Sequence, residues 1–363
     1  MSLEEAPVIT TTQEDEDILN AFEIPSMVFV PMVLKGVFEL EIMELLANSG
    51  QLSPSDIAAR LSINNPTAPD MIDRMLQLLA SYSILSCTLV EDKCGRPQRL
   101  YGLGPRSKYY VDNNGASIVP AHMLLQDKTV LESWHCLKDA VKEGGIDLFG
   151  RTHGMNLFDY MSGGQDTRFT DMFNKGMKAP TAMVLPKIVQ HYSGFSKVKT
   201  VVDVGGGVGE TLKIILSKNL HIRAINYDLP HVIAAAPPIP GIEHVGGDML
   251  NAVPKADVHF MKWIIHGGDD EFCVKVLKNC WEALPPTGKV VIVEVVIPEY
   301  PETDELSQST FLMDMNMLRI TNGGKDRTRK EFADLAHASG FHAPKFVLRA
   351  YNMWLIELHK KMG

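Results

Sequence analysis

Positive charge, cysteine and aromatic side chains are all scarce in this sequence. Lys and Arg number 35 against 44 Asp and Glu, and Phe, Trp and Tyr make up only 7%. The resulting net charge of −9 argues against a nucleic-acid partner, which calls for a basic face, and against an anionic membrane surface. Five cysteines, Cys87, Cys94, Cys136, Cys273 and Cys280, are dispersed without a Cys-x-x-Cys pair or histidines at ligand spacing. That pattern fits a reducing compartment and argues against structural zinc. Long apolar runs are missing too. The longest apolar stretch, Ile24 to Leu46, is interrupted by Pro31, Lys35, Glu39, Glu41 and Glu44, charges a membrane span does not carry lightly. The first twenty residues are acidic and polar with no charged-then-apolar signal pattern, so a cytoplasmic location is expected.

What is present is enough apolar mass for a large core: 363 residues, 45% of them hydrophobic, which predicts a globular chain of two domains. Apolar residues from Ile24 to Ala47 recur at helical spacing around nearly the whole circumference, predicting one helix buried on most sides, with a partner subunit as one explanation. Ser53-Pro54-Ser55-Asp56 and Asn65-Pro66-Thr67-Ala68-Pro69-Asp70 read as capped starts of two further helices. Ile84 to Val90 and Gln98 to Leu103 read as a hairpin. Helix, helix and hairpin form a winged-helix-like pattern, but its second helix carries Asp70 and Asp73 with only Arg74 as a cation, which is poor for phosphates. A structural or dimerisation role fits better. Helices are predicted at Ile118 to Gln126, Val130 to Lys142 and Arg168 to His191. From Val198 onward strands and helices alternate, closing with a hairpin of Ala343 to Ala350 and Met353 to His359. The expected division is a helical dimerisation domain at 1–115, a helical linker lining a pocket at 116–197, and an α/β, Rossmann-like domain at 198–363.

The chemistry is concentrated in that last domain. Val201-Val202-Asp203-Val204 followed by Gly205, Gly207 and Gly209 reads as a buried parallel strand, a tight turn and a helix starting near Glu210. Taken alone this is a weak signal, and an ordinary strand-to-helix turn accounts for it. The next strand ends in Asp228, roughly 20 residues on, where dinucleotide folds place a carboxylate against ribose hydroxyls. Glu210 occupies the place of a third glycine and would repel a pyrophosphate, which disfavours a nicotinamide cofactor and leaves room for an uncharged ribose linkage. Asp248 is positioned to accept from an adenine amino group, with Met249 beside it for the ring face. Val258 to His266 reads as a fourth strand ending in a histidine at the sheet edge where ligands gather. The ensemble suits S-adenosylmethionine and methyl transfer.

Methylating a phenol requires removal of a proton whose ordinary pKa is about 10, and a neutral imidazole is suited to that task. His266 is the candidate base. Glu294, at the end of the apolar strand Val290 to Val293, and Asp326, on the glycine-started loop Gly323 to Arg327, are candidate partners for its imidazolium. Each residue also has a plain structural reading as a hydrogen bonder or cap. Asp269, Asp270 and Glu271 look like the acidic first turn of a helix rather than metal ligands, so no metal is expected.

These residues also resemble the plant small-molecule O-methyltransferases typified by caffeic acid O-methyltransferase. The similarity runs through Val30 to Lys35, Ile72 to Leu76, Gln126-Asp127-Lys128, Glu132-Ser133-Trp134, Phe173 to Met177 and Asp228 to Ile233. The resemblance implies an N-terminal helical dimerisation domain on a Rossmann-like methyltransferase domain, working as a homodimer on a small phenolic substrate. It implies cofactor-binding roles for Gly205, Asp228, Leu229, Asp248, Met249 and Lys262, with His266 as general base, Glu294 flanking it, and Asp326 at the place of a second flanking acid. Substrate-lining positions fall on Ser26, contributed across the dimer, and on Leu124, Leu125, Val130, Leu157, Met161, Phe169, Phe173, Met177, Pro180, Met313, Asn316, Met317 and Thr321.

The departures bear on the substrate. Gly267-Gly268 follow His266 where the family usually has Asp-Trp, predicting a more mobile loop, and Asp326 stands where the family usually has Glu. Leu125, Met161 and Pro180 replace residues that are polar in the caffeic-acid branch. Phe169 and Phe173 are placed to clamp an aromatic ring against an adaptable wall of Met161, Met177, Met313 and Met317. Asn316 is a new polar group for a substrate hydroxyl or methoxyl. The expected reaction is methylation of a phenolic hydroxyl on a phenylpropanoid or catechol-type metabolite. A phenolic alkaloid or flavonoid acceptor, and a catalytically inactive cofactor-binding dimer partner, are the alternatives.

Overall fold

A computed structural model describes residues 12–92, 94–111, 117–145, 147–164 and 166–360. The chain divides into two compact units, Met1–Gln126 and Asp127–Gly363. The domain boundary expected at residue 115 lies outside the described residues.

The first unit begins with α1 (Gln13–Ser26), α2 (Phe29–Glu39) and α3 (Ile42–Ser49). The single helix expected over Ile24 to Ala47 is therefore three pieces. Pro31 lies in the first turn of α2, where its ring excludes the i−4 hydrogen bond to Met27 and ends the preceding helix. Glu41 takes a left-handed φ of 56°, which separates α2 from α3. Burial also differs from expectation: α1 has no buried residue, and Leu19, Phe22 and Ile24 are largely exposed. There follow α4 (Pro54–Arg60), α5 (Ala68–Ser81), the antiparallel pair β1 (Leu85–Glu91) and β2 (Pro97–Leu103), and α6 (Val119–Leu125). Ser53 and Asp56 close a reciprocal cap at the start of α4, as the Ser-Pro-Ser-Asp run implied. The core of this unit joins Val37, Ile42, Leu46, Ile57, Leu76 and Tyr101, and the Tyr101 hydroxyl donates to Asp73 at 2.6 Å, tying the hairpin to α5.

The second unit opens with short helices, α7 (Lys128–Leu131), α8 (Leu137–Glu143), α9 (Leu148–His153) and α10 (Leu157–Ser162), and the long α11 (Thr167–His191). The helix expected over Val130 to Lys142 is interrupted by a 3-10 segment at Glu132–Cys136. Then come β3 (Thr200–Val204), α12 (Glu210–Leu216), β4 (Arg223–Asp228), α13 (Pro230–Ala235), β5 (Ile242–Gly246), β6 (Val258–Lys262), α14 (Asp270–Ala283), β7 (Lys289–Val295), α15 (Glu305–Ile320), α16 (Arg329–Ala338), β8 (Lys345–Ala350) and β9 (Met353–His359). The sheet order is β5-β4-β3-β6-β7-β9-β8, with β3 to β7 parallel and β9 antiparallel to both of its neighbours, β7 and β8. This is an α/β, Rossmann-like sheet.

Period-two alternation sends Val202, Ile225, Met261 and Ile292 to one face, beneath α14 and α16. Val201, Phe260, Val291 and Val293 go to the other, beneath α11 and α12. Chain order reverses between β3 and β6, so the carboxyl ends of those two strands open the crevice where such sheets hold ligands.

Candidate active site

At the carboxyl end of β3 the chain turns through Gly205, Gly207 and Gly209 at φ values of 72°, 58° and 93°. Gly205 shows why a side chain is excluded there. A Cβ would collide with Ile264 Cδ1 and sit 3.3 Å from Met249 Cε, so the loops after β3, β5 and β6 converge on this point. The turn is fastened to β4: Gly205 N donates to the Tyr227 carbonyl at 2.8 Å, and Gly207 N donates to Asp228 Oδ2 at 2.8 Å. Leu229 N donates to the other oxygen of Asp228 at 2.7 Å. Burial raises the Asp228 pKa, while each oxygen keeps a lone pair for hydroxyl donors. Asp248 accepts from Leu250 N at 2.9 Å and from Asn251 at 3.0 Å. Asn279 of α14 holds the Met249 carbonyl at 2.7 Å.

Glu210 is not a free charge. Lys178 of α11 donates to it at 2.7 Å, so the repulsion expected of this carboxylate toward a pyrophosphate is weakened by a neighbour that the sequence did not announce.

Lys262 ends β6 on the same face as Phe260, which pairs in register with Asp203 of β3. Burial lowers the lysine pKa to about 8, with Asp203 and Glu294 opposing that shift. Burial raises the Asp203 pKa to about 7, with Lys262 opposing. The lysine ammonium lies 3.6 Å from the ring centroid of Trp263. Trp263 itself takes a φ of 59°, strained for an aromatic residue and of the kind that gathers at functional sites. This kink corrects the expected strand: β6 ends at Lys262, and His266 lies in a 3-10 turn, Ile265–Gly267. The histidine still falls at the carboxyl edge of the sheet, and its ring lies nearly parallel to that of Trp263, at 14° and 6.4 Å between centroids.

His266 Nδ1 faces two carboxylates, Asp326 Oδ1 at 3.3 Å and Glu294 Oε2 at 3.5 Å. Burial alone would lower its pKa, but Glu294 and Asp326 outweigh it and hold the pKa above the ordinary 6.5. Two anions at Nδ1 keep a proton there and leave Nε2 as the basic nitrogen. Glu294 is itself raised by burial. Its Oε1 accepts from the backbone of Ile265 at 2.9 Å and of His266 at 3.4 Å. One atom of each of His266, Glu294 and Asp326 lies within 4.8 Å of the others, a spacing that a cation could also occupy.

Several supporting residues carried no signal in the sequence. Arg327 is fully buried and donates to the carbonyls of Ile265 at 2.6 Å and Gly268 at 2.9 Å. The diglycine loop is thus tied at both ends, where a mobile loop was expected. Asp314 of α15 accepts from Asp326 N at 2.9 Å. The Thr321 hydroxyl and the His266 carbonyl both crowd the place a side chain on Gly324 would take, which brings the end of α15 to the histidine. Only the fold reveals these links, because each partner is distant in the chain.

Among the expected substrate positions, Val130 lies on α7, Leu157 and Met161 on α10, and Phe169, Phe173, Met177 and Pro180 on α11. Met313, Asn316 and Met317 lie on α15, which packs on α9. Phe169 is fully buried, in contact with Tyr160 and Phe149, whereas Phe173 is half-buried. Ser26, Leu124 and Leu125 belong to the first unit.

Comparison with known proteins shows the family. Residues 134–342 match the model of the O-methyltransferase domain, and residues 22–113 match that of the O-methyltransferase dimerisation domain. A caffeic acid 3-O-methyltransferase of Catharanthus roseus is 48% identical over 96% of this chain and 97% of its own. One of Capsicum annuum is 47% identical over 96% and 98%. The human N-acetylserotonin methyltransferase in complex with SAM, at 20% identity, shares the fold with a TM-score of 0.80 over 98% of this chain and 100% of its own. By its glycine turn, its carboxylate-flanked histidine and its near-full-length similarity to these plant enzymes, the chain belongs to the plant small-molecule O-methyltransferase family and is an O-methyltransferase.

Proposed function

We propose that this enzyme methylates a phenolic hydroxyl of a small phenylpropanoid or catechol-type molecule, with S-adenosylmethionine as methyl donor and His266 as general base. The observation that carries the reading is the pair of buried carboxylates at His266 Nδ1. An acceptor hydroxyl gives its proton to Nε2 as its oxygen attacks, and Glu294 and Asp326 stabilise the imidazolium that forms. S-Adenosylmethionine, when bound, supplies an electrophilic methyl on a sulfonium and leaves as S-adenosylhomocysteine.

The glycine turn fits this cofactor. Space for backbone contact at Gly205, the Asp228 oxygens for ribose hydroxyls, Asp248 with Met249 for adenine, and Leu229 and Lys262 at the rim form the set. Val130, Leu157, Met161, Phe169, Phe173, Met177, Met313, Asn316, Met317 and Thr321 would line the acceptor pocket. The catalytic step uses no metal in this reading.

The enzyme works as a homodimer through residues 1–115, with 116–197 lining the pocket and 198–363 binding the cofactor. The helix, helix and hairpin order of α4, α5, β1 and β2 suits a winged-helix-like module. Exposed Leu19, Phe22 and Ile24 on α1 support an apolar interface between copies. No single helix among the described residues is long and apolar enough to cross a membrane, although the bent pair of α1 and α2 reaches the required length and composition together.

The deciding experiment follows labelled methyl from S-adenosylmethionine onto catechols, guaiacols, flavonoids and phenolic alkaloids, with and without chelator. Turnover on catechols that chelator leaves intact is the expected result. Methyl transfer that stops with chelator would overturn the metal-free step, and transfer to none of the phenols would overturn the substrate class.

A further inference from the structure

Arg319 is a buried cation. Its side chain lies on α15 at 3% exposure, and among the described residues no carboxylate pairs with it. Nη1 donates to the Val130 carbonyl at 3.2 Å, Nη2 donates to Asn316 Oδ1, and Nε has no partner. The Trp134 ring is 5.7 Å away. Burial lowers its pKa to about 10 with no carboxylate opposing the shift, so the group stays charged at neutral pH. An uncompensated buried charge is costly, and such groups cluster where a ligand completes them.

Asn316 lies one helical turn before Arg319. A guanidinium has donors and no acceptor, so the amide has to turn its oxygen toward Arg319. Its Nδ2 end, with two hydrogens, is the end left to offer. The same helix anchors Asp326 through Asp314 and reaches His266 at Thr321, and Asn316 is one of the acceptor-lining positions proposed above.

We propose that Asn316 and Arg319 together select the acceptor. The cation polarises the amide, and Nδ2 donates to an oxygen that carries negative charge, favouring molecules with a carboxylate tail over those with a hydroxyl tail. The methoxyl or hydroxyl partner expected for Asn316 narrows to an accepting, preferably anionic, oxygen. This rests on the proposed phenolic acceptor and on Asn316 lining its pocket.

The test uses one catechol ring bearing in turn a propenoic acid, its aldehyde and its alcohol, with the intact enzyme, Arg319→Met and Asn316→Asp. Both kcat/KM and equilibrium binding in the presence of S-adenosylhomocysteine are measured. The acid-to-alcohol ratio is expected to favour the acid by about tenfold in the intact enzyme. It should fall by at least about tenfold in both variants. Asn316→Asp guards against misfolding, because it supplies Arg319 with the missing carboxylate while repelling that of the acceptor. Its melting temperature should not fall below that of the intact enzyme. An acid-to-alcohol ratio that is the same in all three proteins overturns the proposal. Were no methyl transferred to any of the three, the phenolic-acceptor reading would fail. The binding ratios would still decide for or against the selecting pair.

Discussion

Glu294 holds His266 twice: Oε1 accepts from its backbone nitrogen at 3.4 Å, and Oε2 lies 3.5 Å from Nδ1 of its ring. One buried carboxylate thus sets both the path of the chain and the electrostatics of the imidazole. Replacement by Gln keeps the shape and removes the charge, which separates the two effects.

The base itself is tested by His266→Ala. Turnover should fall by roughly 10²-fold to 10⁴-fold, while cofactor affinity, measured by calorimetry, stays within about threefold because the proposed role of the ring is toward the acceptor and not toward the glycine turn. Retained turnover would remove His266 from the mechanism.

Asp326→Asn is expected to shift the pH profile. Asp326 and Glu294 hold the His266 pKa above 6.5, so kcat/KM should climb as pH rises through that raised value and the ring becomes neutral. Stability runs the other way. A folded-state pKa above the unfolded one contributes stability fully present below about 6.5 and lost as pH rises through the folded value. With one carboxylate neutralised, the acid limb of kcat/KM moves to lower pH and the plateau drops roughly 10-fold to 100-fold. An unchanged limb would mean that Asp326 does not act on the histidine.

Gly205→Ala combines a φ of 72° with a collision at Ile264 Cδ1. The left-handed backbone alone costs about 1–2 kcal/mol for an L side chain. Displacing Ile264 disturbs the place where three loops meet. Cofactor Kd should rise by about tenfold or more, with a smaller fall in melting temperature. Unaltered affinity would detach this turn from cofactor binding.

Arg327→Met would leave the carbonyls of Ile265 and Gly268 with only the weak Cys273 thiol as side-chain donor, at a cost of up to about 1–3 kcal/mol each. A lower melting temperature should accompany a roughly tenfold drop in kcat as the histidine turn loosens. The salt-bridge partner Asp270 is 65% exposed, so Asp270→Asn should cost under about 1 kcal/mol. Equal losses in the two variants would show that the ion pair, rather than the carbonyl contacts, is what matters.

Local signals told most of this protein's plan. Apolar runs named β3, β4, β6 and β7, whose side chains are buried on both faces, and the closing hairpin of β8 and β9, while the edge strand β5 carried no such signal. Glycines 205, 207 and 209 announced a turn, because positive φ is a property of the single residue, and the Ser53 and Asp56 cap announced α4 for the same reason. Wherever the deciding contact was distant, the sequence was silent or misleading. The expected strand through His266 stops at Lys262, because Trp263 adopts a strained φ that no local pattern requires. The helix expected from Ile24 to Ala47 breaks twice, because amphipathic spacing cannot distinguish one helix from three in phase. The diglycine loop looked mobile until Arg327, some sixty positions further on, was found holding its carbonyls. Arg319 and Asn316 read as two polar residues on a helix, and only burial makes one an unpaired cation and the other its amide. The sequence by itself determined the strand and helix alternation after Val198, the glycine turn and the family, since these rest on neighbours in the chain. Tertiary structure alone decided which carboxylates face His266, what anchors its loop and where charge is left uncompensated. Those depend on desolvation and on contacts between segments that only folding brings together.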